Sequence, residues 1–264
     1  MPDALWQFAK TLLPPDKPKG KATAGGRPAA DPRRTMDAIF YILFTGSQWK
    51  ALPRCLGSGS TAHEYFQRWS QAGVFEKLWR RALKQYDTRV GLDWRWQALD
   101  GTMTKAPFGG QAVGPNPTDR AKGGVKRCLL TEGAGIPLAV AVAGANRHDK
   151  KLVEATLANV QAVPATPDQE QNLSLDKGFD YPDVEELVRD YAYTPHIRSR
   201  GEEKKNLKEI PGYRARRWVV ERTHSWMNRF RHILIRWEKK QANYLSMLYL
   251  TCAVITFRAS GVLG

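Results

Sequence analysis

The sequence predicts an α/β fold in which a mixed sheet is flanked by helices and preceded by a small all-α region. Three observations carry this. Apolar residues recur at helical spacing from Met36 to about Tyr86, with Gly-bearing turns between the segments. From Leu92 the pattern changes to short apolar runs, two of them joined at Gly133-Ala134-Gly135 as in a hairpin. Later runs alternate with helical segments, giving the order β-β-β-α-β-α-β-α-α and a sheet with an antiparallel portion.

Each element has its own signal. Residues 14–35, PPDKPKGKATAGGRPAADPRRT, are dominated by Pro, Gly, Ala and Lys and read as a basic flexible arm. Within it, Gly26-Arg27-Pro28 can lay Arg27 in a narrow A·T minor groove, or serve only as linker. Met36, Ile39, Phe40, Leu43 and Phe44 mark a helix that Gly46 ends. A turn segment, SQWKALPRCLGSG, leads to a helix over about 61–71, with Thr61 and Glu64 spaced as a capping box. Another runs from about Val74 to Tyr86. These helices suit a helix-turn-helix reader that turns His63, Gln67 and Arg68 to a DNA groove, or a bundle that only packs on the rest.

In the second half, LDWRWQALDGT reads as a strand ending at Asp100 and a turn. Gly124–Glu132 and Ile136–Ala143 read as the next strands. Asp149 caps a helix to about Val160. NLSLDKGF is a strand ending at Asp176, Pro182 opens a helix to about Tyr191, and Thr194–Arg198 is one more strand. Long helices cover about 213–231 and 241–258. The chain therefore divides into an N-terminal segment and arm (1–35), a helical domain (36–90) and an α/β domain (91–264).

Lys plus Arg number 41 against 26 Asp plus Glu, a net charge of +15 on 264 residues. Such a surplus favours a polyanionic partner, most often nucleic acid, over a role in solubility alone. Cys55, Cys128 and Cys252 lie far apart, outside any metal-binding spacing, and suit a reducing cytoplasm. The opening MPDALWQFAK lacks the order of a signal peptide. The longest apolar run, Tyr244–Phe257, is interrupted by Ser246, Thr251 and Thr256 and is shorter than the ~20 residues that span a bilayer. It reads as a buried core helix, so the chain is expected in the cytoplasm, at the prokaryotic nucleoid, without a membrane partner.

Asp100 and Asp176 share a context: each follows an apolar run and precedes a Gly-bearing turn. Alone, either is a turn former. On neighbouring strands they would meet at the strand ends, where ligands gather, and their repulsion would call for a cation. Oxygen donors suit Mg²⁺ or Mn²⁺. The third acid, Glu221, lies in RARRWVVERTHSWMNRFRH. Residues 198–240 hold 14 Lys plus Arg and 5 Asp plus Glu, +9 of the chain's +15. Glu221 can pair with Arg217 four residues before it on a solvated helix; the dense basic and aromatic surround fits phosphate contacts beside a metal-bound carboxylate better.

These residues resemble the insertion-sequence transposases of family five, within the family-four-like DDE group. GRPAADPRRTMDAIFYILFTGSQWKALP and FQRWSQAGVFEKLW resemble the family's helical N-terminal region. LDGT, KGGVK, IPLAVAVAGANRHD and LSLDKGFD resemble its two aspartate blocks, and RRWVVERTHSWMNRFRHILIRWEKK its glutamate block. The resemblance runs from about Gly26 to Arg258. It implies an RNase H-like catalytic domain over 91–264, with the first Asp on the first strand, the second at the end of the fourth, and the Glu on a later helix. It implies Asp100, Asp176 and Glu221 as catalytic residues holding two ions, Mg²⁺ or Mn²⁺. Only 44 residues lie between Asp176 and Glu221, too few for the β insertion of some relatives.

The group's tyrosine–arginine–glutamate–lysine signature places Arg217 four before Glu221. Its tyrosine slot holds Arg214, with Tyr213 beside it, and its lysine slot holds Asn228, with Arg229 next. The DNA contacts this implies are Tyr213, Arg214, Arg217, Arg222 and Arg229, together with Arg27, Arg68 and Lys126. Trp218 and Trp226 either stack on an extruded base or pack in the core. The implied reaction is cleavage of insertion-sequence ends and joining of the 3′ hydroxyl to target DNA. Terminal inverted repeats and target duplex are the substrates, and a homodimer holds the synapsed ends. A nuclease on the same fold, or a non-catalytic DNA-binding regulator, are the alternatives.

Overall fold

A computed structural model of the chain describes residues 1–15, 29–164, 169–198, 209 and 216–261. Four helices come first: α1 (Asp3–Lys10), α2 (Pro32–Thr45), α3 (Gly59–Gln71) and α4 (Val74–Arg89). Asp31 caps α2 by accepting from the Arg33 N–H at 3.0 Å, Pro32 occupies the first turn, and Gly46 closes the helix with φ +67°. That cap starts α2 four residues ahead of the apolar periodicity. α1 was not legible as a helix; it is held by Leu5 and Ala9, both fully buried.

The strands form one mixed sheet. The central strand is β1 (Trp96–Lys105), and β2 (Gly114–Pro115) is a short edge piece on β3 (Gly123–Glu132). β1 pairs antiparallel with β3, and β3 with β4 (Pro137–Gly144). After α5 (Lys150–Leu157), β5 (Gln171–Asp176) pairs parallel with β1. After α6 (Pro182–Asp190), β6 (Tyr193–Arg198) pairs parallel with β5. Two helices close the chain, α7 (Trp218–Met227) and α8 (Gln241–Ala259). The order β4-β3-β1-β5-β6, antiparallel on one side of β1 and parallel on the other, is the RNase H-like arrangement.

The sheet is covered on both faces. β3 is buried along nearly its whole length, and its residues alternate between two environments. Lys126 and Cys128 face α5, where the Lys126 ammonium meets Asp149. Arg127 faces α7 and α8, donating to Asn228 Oδ1 at 2.6 Å. The apolar run Tyr244–Phe257 lies in α8, which is buried nearly all round, and no helix among the described residues is long and apolar enough to cross a membrane. α4 packs along α8, with Trp79 fully buried and stacked 5.7 Å from the Tyr249 ring. Helical region and sheet thus share one apolar core.

Three local expectations are corrected. β1 does not turn at Asp100; β3 pairs with it from Gln97 through Lys105, so Asp100 is mid-strand. The Thr61–Glu64 capping box does not form, because α3 begins at Gly59 with Ser58 at its cap and no side-chain bond there. Gly59 presses on Trp49, whose carbonyl oxygen would lie 1.7 Å from a Cβ at this position. The helix expected over about 213–231 is described only from Trp218 and stops at Met227, ahead of a tight turn at Arg231–Ile233.

Trp79→Ala is expected to cost about 3–5 kcal/mol of stability, the usual result of emptying a buried aromatic site. Because the core is shared, urea unfolding followed by circular dichroism should shift as one transition. Two separated transitions would contradict the shared core.

Candidate active site

The strand register brings the two aspartates together. β1 and β5 are parallel neighbours with Trp96 opposite Asn172 and Ala98 opposite Ser174; the same offset carries Asp100 to Asp176. Neighbouring strands are about 4.8 Å apart. Helix α7 packs against β1 and β3, and its His224 Nε2 donates to the Asp100 carbonyl at 3.4 Å. Glu221, one turn before His224, lies on that same face, in the first turn of α7 where the helix dipole favours a carboxylate.

The electrostatics record this convergence. Burial pushes the Asp100 carboxyl up to about 6, and repulsion from Glu221, Asp176 and Asp149 adds to it. Arg217, buried to 6 % side-chain exposure, lies between the other two acids: its guanidinium is 2.9 Å from Asp176 and 3.9 Å from Glu221. The i,i+4 ion pair is therefore present, and Asp176 shares it. Among the described residues, no three His, Cys, Asp or Glu side chains close on one point as a metal-binding group. The carboxylates converge, and an arginine holds two of them.

His224 is kept neutral. Burial, then the neighbouring Arg127 charge, lowers its pKa to about 3. Beneath Asp100 it is a fixed dipole with its Nδ1 unpartnered among the described residues.

The other basic residues divide. Lys126 is on the sheet face opposite Asp100, since neighbouring strand residues alternate. Its ammonium is buried and bonded to the Arg147 carbonyl at 2.8 Å and Asp149 at 3.0 Å, which leaves it poorly placed for a phosphate. Arg222 is sandwiched between the rings of Trp218 and Trp226, 4.6 and 4.7 Å from their centroids. Trp218 is 49 % exposed, so it is not a core residue. Arg229 is exposed just past the end of α7. Arg68 sits over the Tyr65 ring and donates to the Pro15 carbonyl. His63 and Gln67 turn toward Trp49 and Lys240 rather than outward. Arg27, Tyr213 and Arg214 lie outside the described residues.

Sequence reasoning took Asp149 only as a helix cap. It stands at the cap position of α5 but makes no capping bond; its carboxylate reaches Lys126 and the backbone at Gly101, where a Cβ would come within 2.5 Å of Oδ1. Gly101 is thus a close-approach glycine, not a turn residue. The only local signal was the Asp-Gly pair, which reads equally as a turn.

With fold and site in place, comparison with known proteins assigns the class. A family model described as the transposase DDE domain matches residues 95–256, more than half of the chain, and one for transposases of the IS4/5 family matches residues 1–79. The chain belongs to the DDE transposase family, the enzymes of metal-dependent DNA cleavage and strand transfer. It is 34% identical over 155 residues to the transposase assigned to insertion sequence element IS402 of Burkholderia cepacia, covering 56% of this chain and 70% of that protein. It is also 32% identical over 117 residues to an uncharacterized 16.2 kDa protein of the same element, covering 44% and 79%. Among solved structures it overlays on the Mos1 mariner paired end complex with Mn at 11% identity and TM-score 0.30, covering 99% and 87% of the two chains. The pre-cleavage Mos1 transpososome gives 10% identity and TM-score 0.28, covering 83% and 81%. Those scores are too low to bear on the fold, which rests on the strand order.

Asp100 holds its proton more tightly folded than unfolded, so the stability this contributes is complete below its ordinary value of 3.8 and is lost as pH rises toward about 6. Asp100→Asn should therefore stabilise the metal-free protein near pH 8 by about 1–3 kcal/mol and change little near pH 4. Thermal unfolding at both pH values checks this; an equal effect at the two would contradict it.

Proposed function

We propose that the chain cleaves insertion-sequence ends and joins the freed 3′ hydroxyl to target DNA, with Asp100, Asp176 and Glu221 as the catalytic acids. The observation that carries this reading is the β1–β5 register, which sets Asp100 beside Asp176 with Glu221 close enough to raise the Asp100 carboxyl. The donor set is all carboxylate oxygen and strongly self-repelling, which suits two hard divalent cations, Mg²⁺ or Mn²⁺. When bound, such cations lower the pKa of the attacking hydroxyl and stabilise the leaving oxygen.

The protein's own groups then have defined work. Asp100 must lose its proton to act as a donor, and burial with the neighbouring acids opposes that loss in the metal-free protein, so cation binding strengthens as pH rises. Arg217 competes for the carboxylates of Asp176 and Glu221. Displaced from them, its guanidinium is free to bind a phosphate oxygen. Arg222, fixed between two indole rings, and Arg229 supply backbone contacts along α7. Residues 36–90 serve as the DNA-reading region, the division at residue 90 being one of role, since the core is continuous. The substrates are terminal inverted repeats and target duplex, two copies of the chain hold the synapsed ends, and the reaction takes place at the chromosome in the cytoplasm.

Asp100→Asn, Asp176→Asn and Glu221→Gln should each bind a labelled end fragment like the native protein. Each should lose nicking and joining by more than about a hundredfold, beyond the loss from an outer-shell partner. Incubation with end DNA, a target plasmid and Mg²⁺ measures both steps. Joined products from a variant remove that residue from the site; nicking without joining by the native chain points to a nuclease, and binding without nicking to a regulator.

Arg217→Gln should tighten Mn²⁺ binding about two- to fivefold, the scale of a partly exposed ion pair, while weakening DNA joining. Calorimetric Mn²⁺ titration reads the first effect. Unchanged or weaker Mn²⁺ binding would show that the arginine and the cation do not share a site.

A further inference from the structure

Gly101, the residue after Asp100, has no backbone reason to be glycine. It sits mid-strand in β1, paired with Cys128, at a φ that any residue adopts. A glycine inside a strand forgoes packing and weakens the strand. What the missing side chain admits is Asp149. A Cβ at Gly101 would lie 2.5 Å from Asp149 Oδ1 and 3.8 Å from Lys126 Cδ. The other oxygen, Oδ2, accepts from the Lys126 ammonium at 3.0 Å, and the same ammonium donates to the Arg147 carbonyl at 2.8 Å. The Lys126 side chain is 8 % exposed, a depth at which losing its partner would be strongly destabilising. Glycine, carboxylate and ammonium thus interlock on the face of β1 opposite the Asp100 side chain.

Two further features tie Asp149 to the strand rather than to its own helix. Asp is among the best N-caps, and such a cap contributes about 1 kcal/mol. At the cap position of α5, however, the Asp149 carboxylate makes no capping bond. His148 does so instead, its Nδ1 accepting from the Lys150 N–H at 3.3 Å. On the sheet side, the ladder between β1 and β5 runs only from Trp96 to Ala98. Among the described residues, β1 is therefore paired along one edge only at Asp100, to β3. The ion pair meets the strand one residue past the acid, where the sheet holds it least.

We propose that Asp149 and Lys126 are positioning residues for Asp100: the pair clamps the β1 backbone at Gly101 and so fixes the direction of the Asp100 carboxylate toward the cations. The proposal rests on the reading of Asp100 as a cation-binding acid. Asp149 and Lys126 act through the strand and not on the reacting atoms, since their side chains lie on its other face. A metal ligand is oriented by partners that do not themselves touch the metal. Without the clamp, each cation that binds must also order the backbone carrying its ligand, and that ordering weakens binding.

The test places Gly101→Ala in two backgrounds of the full chain: native, and a Lys126→Met, Asp149→Ala variant that removes both charges together and leaves neither unpaired. In the native background the added methyl meets the carboxylate. Calorimetric Mn²⁺ affinity and the nicking rate at saturating end DNA should each fall about tenfold or more, the scale of a lost outer-shell partner. Metal-free DNA affinity and melting temperature should stay near native. The Lys126→Met, Asp149→Ala variant should show the same loss, and Gly101→Ala added to it should cost less than about twofold more, because the group it would meet is gone. Native Mn²⁺ affinity and nicking rate in Gly101→Ala, or an equal further loss in both backgrounds, would overturn the proposal and leave Asp100 as a cation-binding acid. So would a fall in melting temperature alone, the mark of a pair that only fastens α5 to the sheet. Gly101→Ala by itself decides between these outcomes if the charge-free variant does not fold. A native chain that neither binds Mn²⁺ nor nicks DNA would overturn the reading of Asp100 as well.

Discussion

The structure is organised around like charge. The parallel register of β1 and β5 and the packing of α7 bring three carboxylates from three elements near one another, and their repulsion must be offset. In the conformation described, two devices do so. Asp100 keeps its proton to an unusually high pH, and Arg217 is buried between Asp176 and Glu221. A proton and an arginine side chain are what the proposed cations would replace. Among the described residues no three His, Cys, Asp or Glu side chains form a metal-binding group.

The rest of the fold keeps that charge in place. A strand presents alternate residues to opposite faces, and β1 and β3 use both. Asp100 and Arg127 face the α7 side, while Gly101 and Lys126 face α5 and Asp149. Gly101 lets Asp149 approach the backbone beside Asp100, so negative charge stands on both sides of the strand and Lys126 compensates on one only. His224, neutral beneath the strand, adds a hydrogen bond without adding charge.

Much of this was legible in the sequence, and the failures have physical causes. Asp176 could be placed because an apolar strand visibly stops there. Glu221 stood out by its basic and aromatic surround, and the core helix Gln241–Ala259 by its long apolar run. Asp100 was assigned to the right strand but the wrong place in it: Asp-Gly-Thr is a turn by local chemistry, and only the pairing of β3 as far as Lys105 extends the strand through it. The Lys126–Asp149 pair joins residues from a strand and a helix cap with no local pattern, so Lys126 read as a free cation. Thr61 and Glu64 had capping spacing, yet the contact of Gly59 with Trp49 set the helix start instead.

The central claim, that Asp100, Asp176 and Glu221 form one cation-binding site, is tested most directly by anomalous diffraction from crystals grown with Mn²⁺. The account predicts anomalous density touching all three carboxylates, with the Arg217 guanidinium moved out from between Asp176 and Glu221. Manganese held elsewhere, with Arg217 still bridging the two acids at saturating metal, would contradict it.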